Sequence, residues 1–221
     1  MDTAHLNEAL RDPAIRVIAL DGDHRMLDGL DLGAVRADPK PIVGTGGTTF
    51  VHLELWRECG LVGYHGEGEI RPGPLRLTGQ TRVPGRAEGV LLGGSLGPLR
   101  AMLGAGLPSL DGAILLLTGE RTQGLGQVDR QLTHLIRAGV LGRVRGVAVG
   151  RFAGFEGLVD RGWSLEDVLA DRLDALGVPV LGGLPIGPGE RPVPVGVPAV
   201  LGATEGVLTV GQIGSEDPSL R

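Results

Sequence analysis

A short apolar strand that passes through glycines straight into a helix constrains this chain more than any other stretch. Pro41-Ile42-Val43-Gly44 reads as a buried strand, Thr45-Gly46-Gly47 as a tight turn, and Thr48 to Cys59 as an amphipathic helix ended by Gly60. Such a unit belongs to a parallel sheet, whose ligands sit at the carboxyl ends of the strands. The turn also has the form of a nucleophile elbow, in which a sharp strand-to-helix bend presents one side chain at the helix N-terminus. Its apex here is Gly46-Gly47, with neither serine nor cysteine. The first amides of a helix are unpaired and carry partial positive charge, so Gly44, Thr45, Gly46, Gly47 and Thr48 form a candidate cradle for an anion. The competing reading is a plain turn that uses glycine for a positive φ. The Gly-Lys-Ser/Thr ending of a P-loop is absent, and helix capping accounts for Thr45, Thr48 and Thr49 better than nucleophilic chemistry does.

The same rhythm extends to both sides. Leu6 to Arg11 reads as helix, Arg16 to Leu20 as a buried strand, and Leu30 to Ala37 as a short helix capped by Asp28 or Asp31. From Gly66 to Arg86 the texture changes to turns and short alternating strands, which marks a junction. Residues 1–66 then form one part, 67–86 a linker, 87–214 a second domain and 215–221 a polar tail. In the second domain, strands are expected at Ala113–Leu117, Val144–Val149, Val178–Leu181, Ala199–Leu201 and Val207–Val210. Helices are expected near Leu96–Leu103, over Gln127–Ala138, and over Leu165–Leu176 with Ser164 as cap. Leu184 to Val197, rich in proline and glycine, reads as a surface loop.

Composition removes several classes of function. The 40 glycines and 15 prolines among 221 residues follow no period, which argues against collagen and simple repeats. A net charge of -5 gives no basic footprint for nucleic acid. No apolar run reaches the roughly 18 residues that a membrane span needs, and the first residues lack the pattern of a signal peptide. A single cysteine, Cys59, excludes an internal disulfide and fits a reducing cytoplasm.

Candidate chemistry falls at strand ends. Asp21, Asp23 and His24 follow one strand, and a histidine beside a carboxylate suits general base work, although a polar turn with a capping aspartate explains them too. Glu120 follows another strand and offers an acid, a base or a ligand anchor, against an exposed ion pair with Arg121 as the alternative. Asp129 and Arg130 read as a structural pair. His52 and Trp56, four apart on one helix, read as packing. His65 and Glu67 lie at the junction as ligand-binding candidates. No metal site or cofactor is indicated, since a third close ligand is missing near Asp21, Asp23 and His24.

Several stretches, in order, resemble the serine LD-carboxypeptidase family, which includes muramoyltetrapeptide carboxypeptidases and microcin-immunity peptidases. They are Leu6-Asn7-Glu8-Ala9-Leu10-Arg11-Asp12-Pro13, Pro39 to Gly44 with Thr49 and His52, Leu92-Gly93-Gly94-Ser95-Leu96, Val128 to Thr133, and Gly177 to Gly187. The resemblance implies an α/β fold, with a truncated Rossmann-like N-terminal part and a C-terminal α/β domain of the LD-carboxypeptidase type. It also implies departures. The family elbow, Gly-Tyr-Ser-Asp, reads Gly44-Thr45-Gly46-Gly47, so Gly46 takes the serine position. The glutamate position falls on Thr118 or Gly119, and the Gly-His-Gly turn reads Gly187-Pro188-Gly189. By this alignment all three members of the Ser/Glu/His triad are absent. The chain also starts partway into the family's N-terminal domain, so an open sheet edge is expected, covered by a second copy or a complementing subunit.

Three functions follow as expectations. The first is a repurposed enzyme doing non-hydrolytic chemistry on a small peptide-like or carboxylate-bearing molecule, with acid–base groups from Asp21, Asp23, His24 or Glu120; specialised metabolism is a setting suggested by analogy. The second is a non-catalytic binder of a peptide, a murein fragment or a partner subunit. The third is a residual amide hydrolase with water activated by Glu120 or His24.

Overall fold

Glycines and apolar runs resolve into two sheets in the computed structural model, which describes residues 2–122 and 124–211; the expected tail at 215–221 lies outside them. Helix α1 (Thr3–Arg11) starts at Asp2, whose carboxylate accepts from the His5 amide. Strand β1 (Ile18–Ala19) leads through Asp21–Asp23 into a single 3-10 turn at His24–Leu27. Helix α2 (Leu32–Ala37) is capped by Asp31, so Asp28 is not the cap used. Strand β2 (Ile42–Gly44) then feeds α3 (Thr48–Cys59), closed by Gly60 at φ 65°. Strand β3 (Gly63–His65) returns parallel to β2, as β2 runs parallel to β1.

The fourth strand of this sheet comes from far away in the sequence. Strand β10 (Val193–Val195) pairs antiparallel with β3, in register Val193 to His65 and Val195 to Gly63. This corrects the expectation of a loop over Leu184–Val197. Both valines are buried while Pro194 is half-buried, and β10 lies at the sheet's edge, where a residue without an N–H is tolerated.

The second sheet has eight strands. In chain order they are β4 (Leu75–Thr78), β5 (Gln80–Val83), β6 (Arg86–Ser95), β7 (Ile114–Glu120), β8 (Gly146–Ala153), β9 (Val180–Gly182), β11 (Val197–Gly202) and β12 (Val207–Val210), arranged β4-β12-β11-β6-β7-β8-β9-β5. Strands β6 to β9 are parallel and are joined by α4 (Leu96–Ala101), α5 (Leu125–Arg137) and α6 (Leu165–Leu173). Only Gly79 separates β4 from β5, yet β4 bonds to β12 and β5 to β9, at opposite ends of the order. One bent strand thus joins both edges and curls the sheet into a barrel-like core. The bend needs glycine, since a Cβ on residue 79 would stand 2.5 Å from the Gly182 carbonyl oxygen.

Strand β7 is buried on both faces, as expected for a covered parallel strand. Ile114 and Leu116 join Leu91, Leu181 and Leu201 in one cluster, and Leu115 and Leu117 join Leu132, Leu135 and Leu169 in another. A third cluster, with Leu6, Leu10, Ile42, Val51 and Leu55, packs the helices around the first sheet.

Candidate functional site

The carboxyl ends of β6 and β7, the turn after β2 and the starts of α3, α4 and α5 meet around a cavity of ≈ 260 Å³. Gly46 and Gly47 form one wall, Ser95 to Pro98 another, and Glu120, Gln127 and Gln131 a third, with Phe152 and Phe155 as an apolar side. The phenyl rings meet edge-on with centroids 6.4 Å apart.

Backbone sterics dictate the turn. Gly46 sits at φ 54°, a left-handed value that glycine adopts freely. A Cβ there would enter open space, with Glu120 Oε1 the nearest atom at 3.7 Å. Gly44 has no such room, because a Cβ would overlap the Leu20 carbonyl. Thr48 is buried and fully engaged: its hydroxyl donates to Leu20 O at 2.7 Å and accepts from the Gly22 amide at 3.1 Å. That pair of bonds clamps the Asp21–His24 loop against the helix start. The amides of Thr48, Thr49 and Phe50 donate to the carbonyls of Thr45, Gly46 and Gly47. The amides of Gly46 and Gly47 have no partner among the described residues.

Capping separates this region from the rest of the protein. Helices α1, α2 and α6 carry side-chain caps from Asp2, Asp31 and Ser164. Helices α3, α4 and α5, which start at the cavity, have none. The first amides of α3 are taken up by the carbonyls of Thr45, Gly46 and Gly47, so at this turn the free donors are the Gly46 and Gly47 amides, at the positive end of the α3 dipole.

A buried polar chain lies beneath. His65 is fully buried, and its Nε2 is 2.8 Å from Thr118 Oγ1, which is 3.4 Å from Ser95 Oγ. The His65 Nδ1 has no partner among the described residues, and an orphaned N–H is rarer in folded proteins than an under-used acceptor. This assigns the proton to Nε2. Thr118 Oγ1 then accepts from His65, and in its longer contact with Ser95 either hydroxyl can donate. By the same logic His52 donates from Nε2 to the Ile42 carbonyl at 2.9 Å. Burial lowers the His52 pKa to about 4, and burial together with the neighbouring His52 lowers that of His65 to about 3. Both imidazoles are neutral at physiological pH.

The structure brings Glu120 together with Gly46 and Gly47, and places Ser95 and His65 next to them. Asp21, Asp23 and His24 do not line the cavity; only their loop's backbone abuts the turn. Asp23 caps the 3-10 turn, accepting from the Arg25 amide, and meets His24 Nδ1 at 2.8 Å. The Arg25 amide and guanidinium hold its carboxyl below the ordinary value. Glu67 is exposed, and its amide donates to Glu190 O at 2.7 Å. Asp129 pairs with Arg172 at 2.6 Å rather than with Arg130, which donates to Gln127. A Cβ on Gly187 would lie 3.2 Å from Thr118 Cγ2, so the Gly187-Pro188-Gly189 turn adjoins the end of β7. Among the described residues no group of three or more His, Cys, Asp or Glu could hold a metal ion, and no helix is long and apolar enough to cross a membrane.

Known proteins place this architecture. The N-terminal domain of LD-carboxypeptidases matches residues 2–66, and the C-terminal domain of LD-carboxypeptidases matches residues 88–201. The chain belongs to the LD-carboxypeptidase family. A Streptomyces coelicolor protein provisionally assigned as a carboxypeptidase is 38% identical over 240 residues, covering 94% of this chain and 75% of its own length. A Bacillus subtilis protein assigned as a murein peptide carboxypeptidase is 28% identical, over 91% of this chain and 73% of its own. The muramoyltetrapeptide carboxypeptidase of Oxalobacter formigenes superposes with a TM-score of 0.82 at 25% identity, over 96% of this chain and 84% of its own. The microcin C7 self-immunity protein MccF, solved with glutamyl sulfamoyl guanosine, has the same fold, with a TM-score of 0.78 at 20% identity over 96% of this chain and 80% of its own.

Sequence reasoning did not select Ser95, Gln127, Gln131, Phe152 or Phe155 as site residues. Ser95 ends a strand directly before a helix, as Gly44 to Thr48 does, and that shared pattern was the available signal. Phe152 and Phe155 carried none, since spacing alone does not separate a cavity wall from core.

Proposed function

We propose that this chain binds a small peptide-like or carboxylate-bearing molecule in the cavity and does not use the family's serine acyl chemistry. The observation that carries the reading is the glycine at 46. A strand-to-helix turn of elbow form, at φ 54°, has space for a side chain but holds none. Thr118 or Gly119, near the end of β7, and Pro188 in the adjoining turn stand where the resemblance puts the acid and the base, and none of them can act as one. On this reading the Ser/Glu/His triad is lost, and Glu120 is the acid–base group of a repurposed, non-hydrolytic enzyme acting in the cytoplasm.

A second reading, a binder without turnover, is favoured by one observation: among the described residues Glu120 is the sole ionisable side chain lining the cavity, which gives no acid–base pair there. The two readings share the ligand site and part on turnover. Titration calorimetry with a murein tetrapeptide and a panel of amide-linked small molecules tests that site. Saturable binding is expected, and it should disappear in Gly97→Leu, which points a side chain into the cavity. Absence of binding by the whole panel, or binding untouched by Gly97→Leu, overturns the proposal. Supported by the one-sided bonding of β1 and by Val17, which is 48% exposed beside it, the reading also puts a second copy or a complementing subunit on that edge.

A further inference from the structure

His52 and His65 are both buried, and each bonds through Nε2 while its Nδ1 has no partner among the described residues. The two rings belong to one layer, His52 on α3 and His65 on β3, and meet edge-on with centroids 6.4 Å apart. Gly63 lies two residues before His65, on the same face of β3. A Cβ there would stand 2.6 Å from the His52 ring, so His52 lies across that face beside His65.

The two nitrogens cannot satisfy one another. A ring atom lies about 1.2 Å from its centroid, so the pair comes no closer than about 4 Å, beyond the ~3.2 Å reach of a direct hydrogen bond. They also have the same sense, because with the proton on Nε2 each Nδ1 is an acceptor. Burial keeps both rings neutral, so protonation does not supply the missing donor. A water molecule carries two O–H donors and bridges acceptors that stand between about 4 and about 5.6 Å apart. A buried water also needs a donor to accept from, and Thr49 offers one. Its buried hydroxyl accepts from the Ser95 amide at 3.1 Å and donates to no acceptor among the described residues. A Cβ on Gly94 would lie 2.7 Å from that oxygen and 3.3 Å from His65 Cε1, which puts the threonine beside the imidazole.

We propose that one water is bound between His52 and His65, donating a hydrogen to each Nδ1 and accepting from the Thr49 hydroxyl. The water holds both imidazoles as Nε2–H tautomers and makes His52 a positioning residue for His65. Through Thr118 that order reaches Ser95 in the cavity wall. The inference is independent of what the cavity binds.

Two measurements on the wild-type protein test the site. Nitrogen-15 NMR at neutral pH should show, for both histidines, a protonated Nε2 and an unprotonated Nδ1 with the shift of a hydrogen-bonded acceptor. A high-resolution crystal structure should show one water within about 3.2 Å of both Nδ1 atoms. A proton on either Nδ1, or no water shared by the two, overturns the proposal. The positioning role is tested with His52→Phe, which keeps a ring but removes its nitrogens; thermal melting checks that it folds. The His65 Nδ1 resonance should move toward the value of an unbonded nitrogen, and a resonance unchanged from wild type overturns that role. The two wild-type measurements decide the water site whatever the stability of the variant.

Discussion

Gly46 concentrates the functional argument in one backbone angle. Its φ of 54° suits glycine, and the space beyond it is open. Gly46→Ser should therefore fold, at a cost of about 1–2 kcal/mol for a side chain in the left-handed region. It should not gain peptidase activity, because Pro188 supplies no base and the buried His65 is committed to Thr118. Denaturant titration and a product assay check the two halves. Burial gives His52 and His65 a second measurable consequence. Their folded pKa values, about 4 and about 3, lie below the ordinary histidine value of 6.5, so between those limits the unfolded chain binds more protons than the native one. Stability should be level above about pH 7, fall as pH drops through 6.5, and keep falling toward 4. Melting curves from pH 8 to 4 should show this slope, and His65→Gln should flatten it. The sequence made His65 visible only as a histidine near a junction, because burial and the Thr118 partner 53 residues away are tertiary facts.

Local patterns carried most of the helices. Thr48–Cys59 could be read to both ends because glycine bounds it, and Ser164 with Asp167 forms the capping box that starts α6. Short strands were less legible. β3 and β10 are three residues each, too brief for an alternation to register; β10 is fixed by β3 across the sequence, and β3 by β2 and β10 together. The most exposed consequence is at Gly196, where the chain crosses from β10 to β11 and so from one sheet to the other. The Gly196 amide donates to Leu91 O at 2.7 Å, its carbonyl accepts from Trp56 Nε1 at 3.3 Å, and its φ is 89°. A Cβ would overlap the Trp56 ring. Gly196→Ala should cost at least about 2 kcal/mol through overpacking and left-handed strain, read as a lower denaturation midpoint. Trp56 fluorescence should shift with it.

Taken as a whole, the molecule puts the cavity where both sheets end. The strand–helix rhythm announced the α/β class and the ordered motifs announced the family, whereas barrel closure through Gly79 needs pairings with β9 and β12 that no local window contains. If a second copy covers β1, sedimentation should give a dimer at micromolar protein, and Val17→Lys should shift it toward monomer; a monomer in the wild type contradicts the proposed pairing. The central claim is that the cavity binds its ligand without serine acyl chemistry. Mass spectrometry of purified protein incubated with a murein tetrapeptide tests it most directly, following both the peptide and the intact protein mass. The account predicts no released terminal residue and no covalent adduct at peptide concentrations that saturate binding. Stoichiometric acylation, or catalytic release of the terminal residue that a serine-directed fluorophosphonate blocks, would contradict it.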